Sequence, residues 1–171
     1  MKRQSTRQLI ISGLLISVGI LLPILFHSVN LLGKIFLPMH IPVLIGGFFL
    51  SPLFAMIVGM VTPVISAVMT GMPVLFPMAL IMFFELGTYG YVIAYLRKRG
   101  VSVIPSLLIG MVIGRIVAGL VVFVLSSFFG VKMNAFLFVK GAILTGIPGI
   151  AVQLIIIPLI VASLQRVLRE K

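Results

Sequence analysis

Cysteine is absent from this 171-residue chain, and so is aspartate. The first absence excludes disulfides, thiol catalysis and cysteine-bound metals. The second leaves Glu85 and Glu170 as the only carboxylates, so Glu85 has no second acid at membrane depth with which to share acid–base work. Charge of either sign is scarce: 9% of the residues are charged, against about a quarter in soluble domains. With 61% hydrophobic residues, such a chain cannot cover a water-facing surface, and its solvent is lipid. No GxxxxGK[ST] phosphate loop, HExxH pair or Ser/His nucleophile arrangement is present, so the chain is not expected to be an enzyme or to use ATP by itself. Two histidines, His27 and His40, are too few to make a metal site beside one buried carboxylate.

The charge that is present is mostly positive, a net +11, and it sits beside the apolar runs rather than within them. Lys2, Arg3 and Arg7 precede the first run, Arg97, Lys98 and Arg99 fill a mid-chain loop, and Arg166, Arg169 and Lys171 close the chain. These clusters read as topology signals and lipid headgroup contacts rather than as a nucleic-acid surface. The basic start followed by an apolar stretch is similar to a signal peptide, but no small-residue cleavage site follows before His27, so it reads as a retained first helix.

Six apolar segments can be cut from the sequence: 8–26, 39–50, 53–69, 77–96, 103–129 and 135–168. Runs such as Leu154 to Val161 do not alternate as barrel strands do, and in lipid an open chain satisfies its backbone only as helix. The second and third segments are separated by Ser51-Pro52. They form either two short spans with a tight turn or one broken element, and their joint length favours two. The expected fold is therefore an all-α integral membrane protein, residues 1–171 forming a single six-helix domain with no repeat or linker. Six transmembrane helices put both termini on one side. The positive-inside rule makes that side cytoplasmic, since nine of the thirteen Lys and Arg then fall there. The outer face receives loops at 27–38, with His27, Asn30 and Lys34, at 70–76, and at 130–134.

Charges inside membrane segments are costly and mark functional candidates. Glu85 lies 12 residues before Arg97 and Arg115 lies 12 residues after Val103, so both sit about 18 Å from the inner loop at 1.5 Å per residue. They either pair for structural reasons or face a solute cavity. Thr88 and Tyr89 share the face of Glu85, and an aromatic ring beside a carboxylate suits a flat polar ligand. Lys140, near the outer third of the sixth segment, either snorkels outward or helps Arg115 hold an anionic group. Counted with Glu85 and Arg115 it leaves the buried set at +1, which favours a solute with a carboxylate or many acceptors. His40 and Asn134 are further outer-face candidates for substrate contact. Gly110, Gly114 and Ala118 recur every four positions, as do Gly13 and Ser17, spacings that let helix backbones approach closely.

The segments Leu37-Pro38-Met39-His40-Ile41-Pro42, Thr70-Gly71-Met72-Pro73 and Phe84-Glu85-Leu86-Gly87-Thr88-Tyr89-Gly90, in a basic-ended chain of this length, resemble the substrate-binding S components of energy-coupling factor (ECF) transporters. The likeness is greatest to the branch that binds pantothenate and hydroxymethylpyrimidine or pyridoxine. The resemblance implies a multi-pass protein of the prokaryotic cell membrane that captures a water-soluble vitamin or precursor near the outer face. It also implies docking on a transmembrane coupling subunit served by two cytoplasmic ATPases, with ATP used by those partners and no cofactor bound by this chain. In that family an Ala-x-x-x-Ala pair on the first helix meets the coupling subunit; here Gly13 and Ser17 stand at that spacing, with Ser12 and Gly19 as neighbouring candidates. Without the resemblance, a self-sufficient small secondary transporter or oligomeric channel is the alternative reading.

Overall fold

A computed structural model describes the backbone of residues 2–27 and 36–169, and the side chains of residues 5–25 and 36–166. Asn30, Lys34 and the side chain of His27 lie outside the described residues. The described part holds six α-helices: α1 (Lys2–His27), α2 (His40–Phe49), α3 (Pro52–Thr70), α4 (Leu80–Lys98), α5 (Val103–Phe128) and α6 (Ala135–Arg169). A short π-helical turn, Leu75–Ala79, leads into α4, with Phe76 in extended conformation inside it.

The punctuation between helices follows from residue type. Ser51 is extended and Pro52 opens α3, where a missing N–H costs nothing; the Ser51 N–H instead donates to Gln8 Oε1 of α1 at 3.1 Å. Gly71, at φ 74°, ends α3 with its N–H on the Ala67 carbonyl, a left-handed cap that glycine adopts without a Cβ penalty. At the end of α4 the Gly100 and Val101 amides close on the Arg97 and Leu96 carbonyls, and Arg97 Nη1 donates to the Val101 carbonyl at 2.6 Å. Asn134 Oδ1 accepts the Leu137 N–H at 3.0 Å and so caps α6.

Five helical stretches are long and apolar enough to cross a membrane, while His40–Phe49 is shorter. The break at Ser51-Pro52 does separate two helices. Yet α2 has ten residues, about 15 Å, half of a hydrocarbon core about 30 Å thick. The apolar segment at 39–50 is short because extended residues and turns bound it on both sides. Large apolar side chains such as Leu9, Ile10, Leu14, Phe123, Ile155 and Leu159 are exposed, the outward surface expected of a bundle solvated by lipid.

Helix α4 lies at the centre, packed on α3, α5 and α2. Its contact with α3 is backbone to backbone: a Cβ on Gly59 would collide with the Leu86 carbonyl group, and one on Gly90 with that of Ala55. A single buried cluster runs through the bundle, with Val43, Leu44, Ala55, Val58, Leu86, Ile93 and Leu107 fully enclosed. A smaller one, Ile81, Ala118, Val122 and Leu125, ties α4 to α5.

Candidate functional site

Because α4 is enclosed on several sides, its polar stretch faces protein rather than lipid. Glu85 is 2% exposed. Its Oε1 receives Arg115 Nη1 from α5 at 2.8 Å and the Tyr89 hydroxyl at 2.6 Å. The two charges placed at one depth by counting residues thus meet across adjacent helices, which is the arrangement a buried charge requires. Tyr89 reaches Glu85 because the neighbouring helix carries no side chain where its ring lies: a Cβ at Gly114 would overlap that ring. The close approach expected along Gly110, Gly114 and Ala118 is present, with all three residues buried; a Cβ on Gly110 would press on the Ile93 side chain. The face partner Thr88 turns instead to its own helix and donates to the Phe84 carbonyl at 2.7 Å.

A cavity of about 580 Å³ lies against this group. It is lined by the end of α1 at Pro23, the Leu37–His40 segment, the Met72–Val74 turn, Met78 and Met82 entering α4, Arg115 on α5, and Phe138, Ala142 and Thr145 on α6. Glu85 and Arg115 are the two charged groups among the described residues that line it. The remaining lining is largely apolar, which is the composition of a small-molecule site, where a few polar groups fix orientation. His40 lines the cavity at 4% exposure; its Nδ1 and Nε2 are both buried, and neither has a hydrogen-bond partner among the described residues. Its ring lies 5.7 Å from that of Tyr89, tilted by 50°.

The outer walls are held by polar side chains. Ser66 donates to the Met72 carbonyl at 2.7 Å, and Thr70 Oγ1 both donates to that carbonyl and accepts the Met72 N–H. Gln153 of α6, 1% exposed, donates to the Phe36 and Leu37 carbonyls at 3.3 and 3.4 Å. Leu37 carries a positive φ of 49°, a conformation that is sterically costly for a leucine and persists only when its surroundings enforce it.

The six residues expected to touch a solute separate into three positions. His40, Glu85 and Arg115 converge on the cavity. Tyr89 stands behind Glu85 and outside the lining, so its ring steadies the carboxylate and does not present a flat face to the cavity. Asn134 and Lys140 are exposed and line no part of it: Asn134 is committed to capping α6, and Lys140 projects from the surface of that helix, so among the described residues the charges that line the cavity are those of Glu85 and Arg115. Gly13 and Ser17 lie exposed on α1, with Ser17 Oγ bonded to the Gly13 carbonyl at 2.9 Å and nothing within 4 Å of a Cβ built on Gly13. The sequence reading passed over Gln153, Ser66, Thr145 and the methionines of the lining.

Comparison with known proteins gives one family. A model of the ECF transporter substrate-specific component matches residues 7–161. No curated protein and no solved structure matches the chain. A membrane-type helical bundle, a polar-floored cavity and a family match over most of its length lead to one assignment: the chain belongs to the substrate-specific components of ECF transporters.

Proposed function

We propose that this protein captures a water-soluble vitamin or vitamin precursor, of the hydroxymethylpyrimidine, pyridoxine or pantothenate kind, at the outer face of a prokaryotic cell membrane. It then releases the solute inside after docking on a transmembrane coupling subunit driven by two cytoplasmic ATPases. In this reading all six helices cross or enter the membrane and both termini are cytoplasmic. The exposed Gly13–Ser17 face of α1 meets the coupling subunit, its small side chains permitting close approach. One observation carries the reading: the cavity lined by His40, Glu85 and Arg115 is also lined by the Met72–Val74 turn and by Met78 and Met82 at the start of α4, the end of that helix opposite the Arg97–Arg99 loop, which the positive-inside rule assigns to the cytoplasm.

The test is to purify the chain alone, screen it against water-soluble vitamins and precursors by calorimetry, and repeat the binding with Glu85→Gln and Arg115→Met. Binding of a vitamin, weakened more than tenfold by either substitution, is the expected result. A folded protein that binds none of them would falsify the assignment. So would solute uptake into vesicles by this chain with no ATPase partner, which would make it a self-sufficient transporter.

A further inference from the structure

Helix α4 carries polar chemistry on a second side, away from the cavity. It is packed on α2, α3 and α5, yet one stripe of it stays open. Phe84, Tyr91 and Tyr95 are 39%, 44% and 40% exposed, and with Thr88 between them they follow the three- and four-residue steps of one helix face. Lys98 and Arg99, both exposed, stand three and four residues beyond Tyr95 and carry that face to the helix end. An exposed arginine at such a place is free to extend into water. Arg99 instead folds back along α4: its guanidinium carbon lies 5.0 Å from the centre of the Tyr95 ring, and its Nη2 donates to the Tyr95 hydroxyl at 2.7 Å. One turn deeper the Tyr91 ring stacks with that of Tyr95, centres 6.2 Å apart and planes inclined by 10°. The neighbouring Arg97 turns inward, its Nη1 on the Val101 carbonyl and its guanidinium 5.7 Å from the Phe48 ring centre of α2. The protein keeps one cation of the three and presents the other two on the stripe.

A helix C-terminus favours cations, and the positive-inside rule places them on this side. Neither effect requires a cation to lie against tyrosines that face lipid. The charge also calls for anions that the protein cannot supply: Glu85 is buried against Arg115, which leaves Glu170 as the one carboxylate side chain to set against nine Lys and Arg assigned to this face. Anionic headgroups are found at this level of a membrane, and tyrosine suits the boundary, with its ring among acyl chains and its hydroxyl among headgroups. We propose that Tyr91, Tyr95, Lys98 and Arg99 form a binding site for one anionic phospholipid of the cytoplasmic leaflet. Lys98 and the free donors of Arg99 hold the phosphate. The Tyr95 hydroxyl accepts from Arg99 and keeps its own proton for a phosphate oxygen. Tyr91, eight residues before Arg99 and so about 12 Å deeper, and Phe84 beyond it give the acyl chain an apolar track, for which a soluble anion has no use. The site rests on the membrane placement proposed above and not on the identity of the solute.

The chain has no tryptophan, so Tyr91→Trp in the full chain creates a single fluorophore at the site. Leu159→Trp creates one on the exposed face of α6 for reference. Each protein is reconstituted into bilayers of phosphatidylcholine and phosphatidylglycerol in which one lipid or the other carries brominated acyl chains. The quenching gives the affinity of phosphatidylglycerol relative to phosphatidylcholine beside the fluorophore. The expected preference is about fivefold or more in Tyr91→Trp and close to none in Leu159→Trp. Adding Lys98→Gln and Arg99→Gln to Tyr91→Trp abolishes the preference, and adding Tyr95→Phe, which keeps the ring and removes the hydroxyl, weakens it; neither lowers the melting temperature, because these groups are exposed. Equal preference in the two tryptophan proteins overturns the proposal, as does a preference that survives the loss of Lys98 and Arg99. A preference that millimolar inorganic phosphate erases makes this a site for a soluble anion and overturns the lipid. No preference, together with lost assembly on the coupling subunit in Lys98→Gln and Arg99→Gln, gives the stripe to a protein partner and overturns it too. The measurement contains no solute, so each of these failures leaves solute capture standing.

Discussion

Alanine at position 114 adds one methyl group, at the place where the structure has least room for it. The new Cβ would overlap two carbons of the Tyr89 ring and lie 3.1 Å from the Glu85 carbonyl oxygen. Carbon atoms in contact rest about 3.5 Å apart or more, so the ring has to withdraw by about 1.4 Å. The Tyr89 hydroxyl is 2.6 Å from Glu85 Oε1, and a retreat of that size carries it past 3.5 Å, beyond a hydrogen bond. Two costs add: about 1–3 kcal/mol for overpacking and about 1.5–3 kcal/mol for a hydrogen bond to a charged group. Gly114→Ala is therefore expected to destabilise the protein by about 2.5–6 kcal/mol, measured by reversible unfolding in mixed micelles. If the methyl group acts through the tyrosine, the same substitution made on a Tyr89→Ala background, where the ring is gone, costs close to nothing. The double-mutant cycle then shows a coupling above about 1 kcal/mol. Additive costs, agreeing within about 0.5 kcal/mol, would refute the claim that Gly114 exists to seat Tyr89.

Three further outcomes follow from other contacts. Gln153→Leu removes the donor to the Phe36 and Leu37 carbonyls; at about 0.5–1.5 kcal/mol per hydrogen bond, amide exchange across residues 37–41 should quicken several-fold, read by mass spectrometry, and unchanged exchange would show that the segment is held by other means. Arg115→Met strands the Glu85 carboxylate and should cost about 3–5 kcal/mol, part of which returns in the double variant with Glu85→Gln; no recovery in unfolding experiments would argue against the pair. Asn134→Ala should lower stability by about 1 kcal/mol through the lost cap of α6 and leave solute affinity unaltered, so a drop in affinity at equal stability would restore Asn134 to the binding site.

The helical architecture was legible because lipid allows few alternatives and because the Ser51-Pro52 break and the Gly71 turn mark element ends by chemistry that acts within a few residues. The meeting of Glu85 and Arg115 was legible for a similar reason: two helices leaving one tight turn keep step, so equal residue counts mean equal depth. The cavity was not. Met39, Met72, Met78 and Met82 come from different stretches of chain, and nothing local distinguishes them from other apolar residues in the same segments. Asn134 shows the converse difficulty, since an amide before a helix suits both a cap and a ligand contact, and only the Leu137 N–H settles which it makes. Gln153 did carry a signal, a lone amide in the long apolar run of α6, but its partners lie more than a hundred residues away and no spacing rule links them.

The glycine contacts between α3 and α4 have a mechanical consequence. Where Gly59 meets Leu86 and Gly90 meets Ala55, main chain rests on main chain, and neither side has a rotamer with which to give way. The two helices move as one stiff beam, and the Glu85 carboxylate is fixed to it. The rest of the cavity belongs to more compliant material: segments at residues 37–40 and 72–74 held by a few side-chain hydrogen bonds from Gln153, Ser66 and Thr70, and α6 interrupted by Pro148 and Pro158. Any opening wide enough to admit a solute therefore has to come from those tethers and from α6, while the carboxylate end of the site keeps its place.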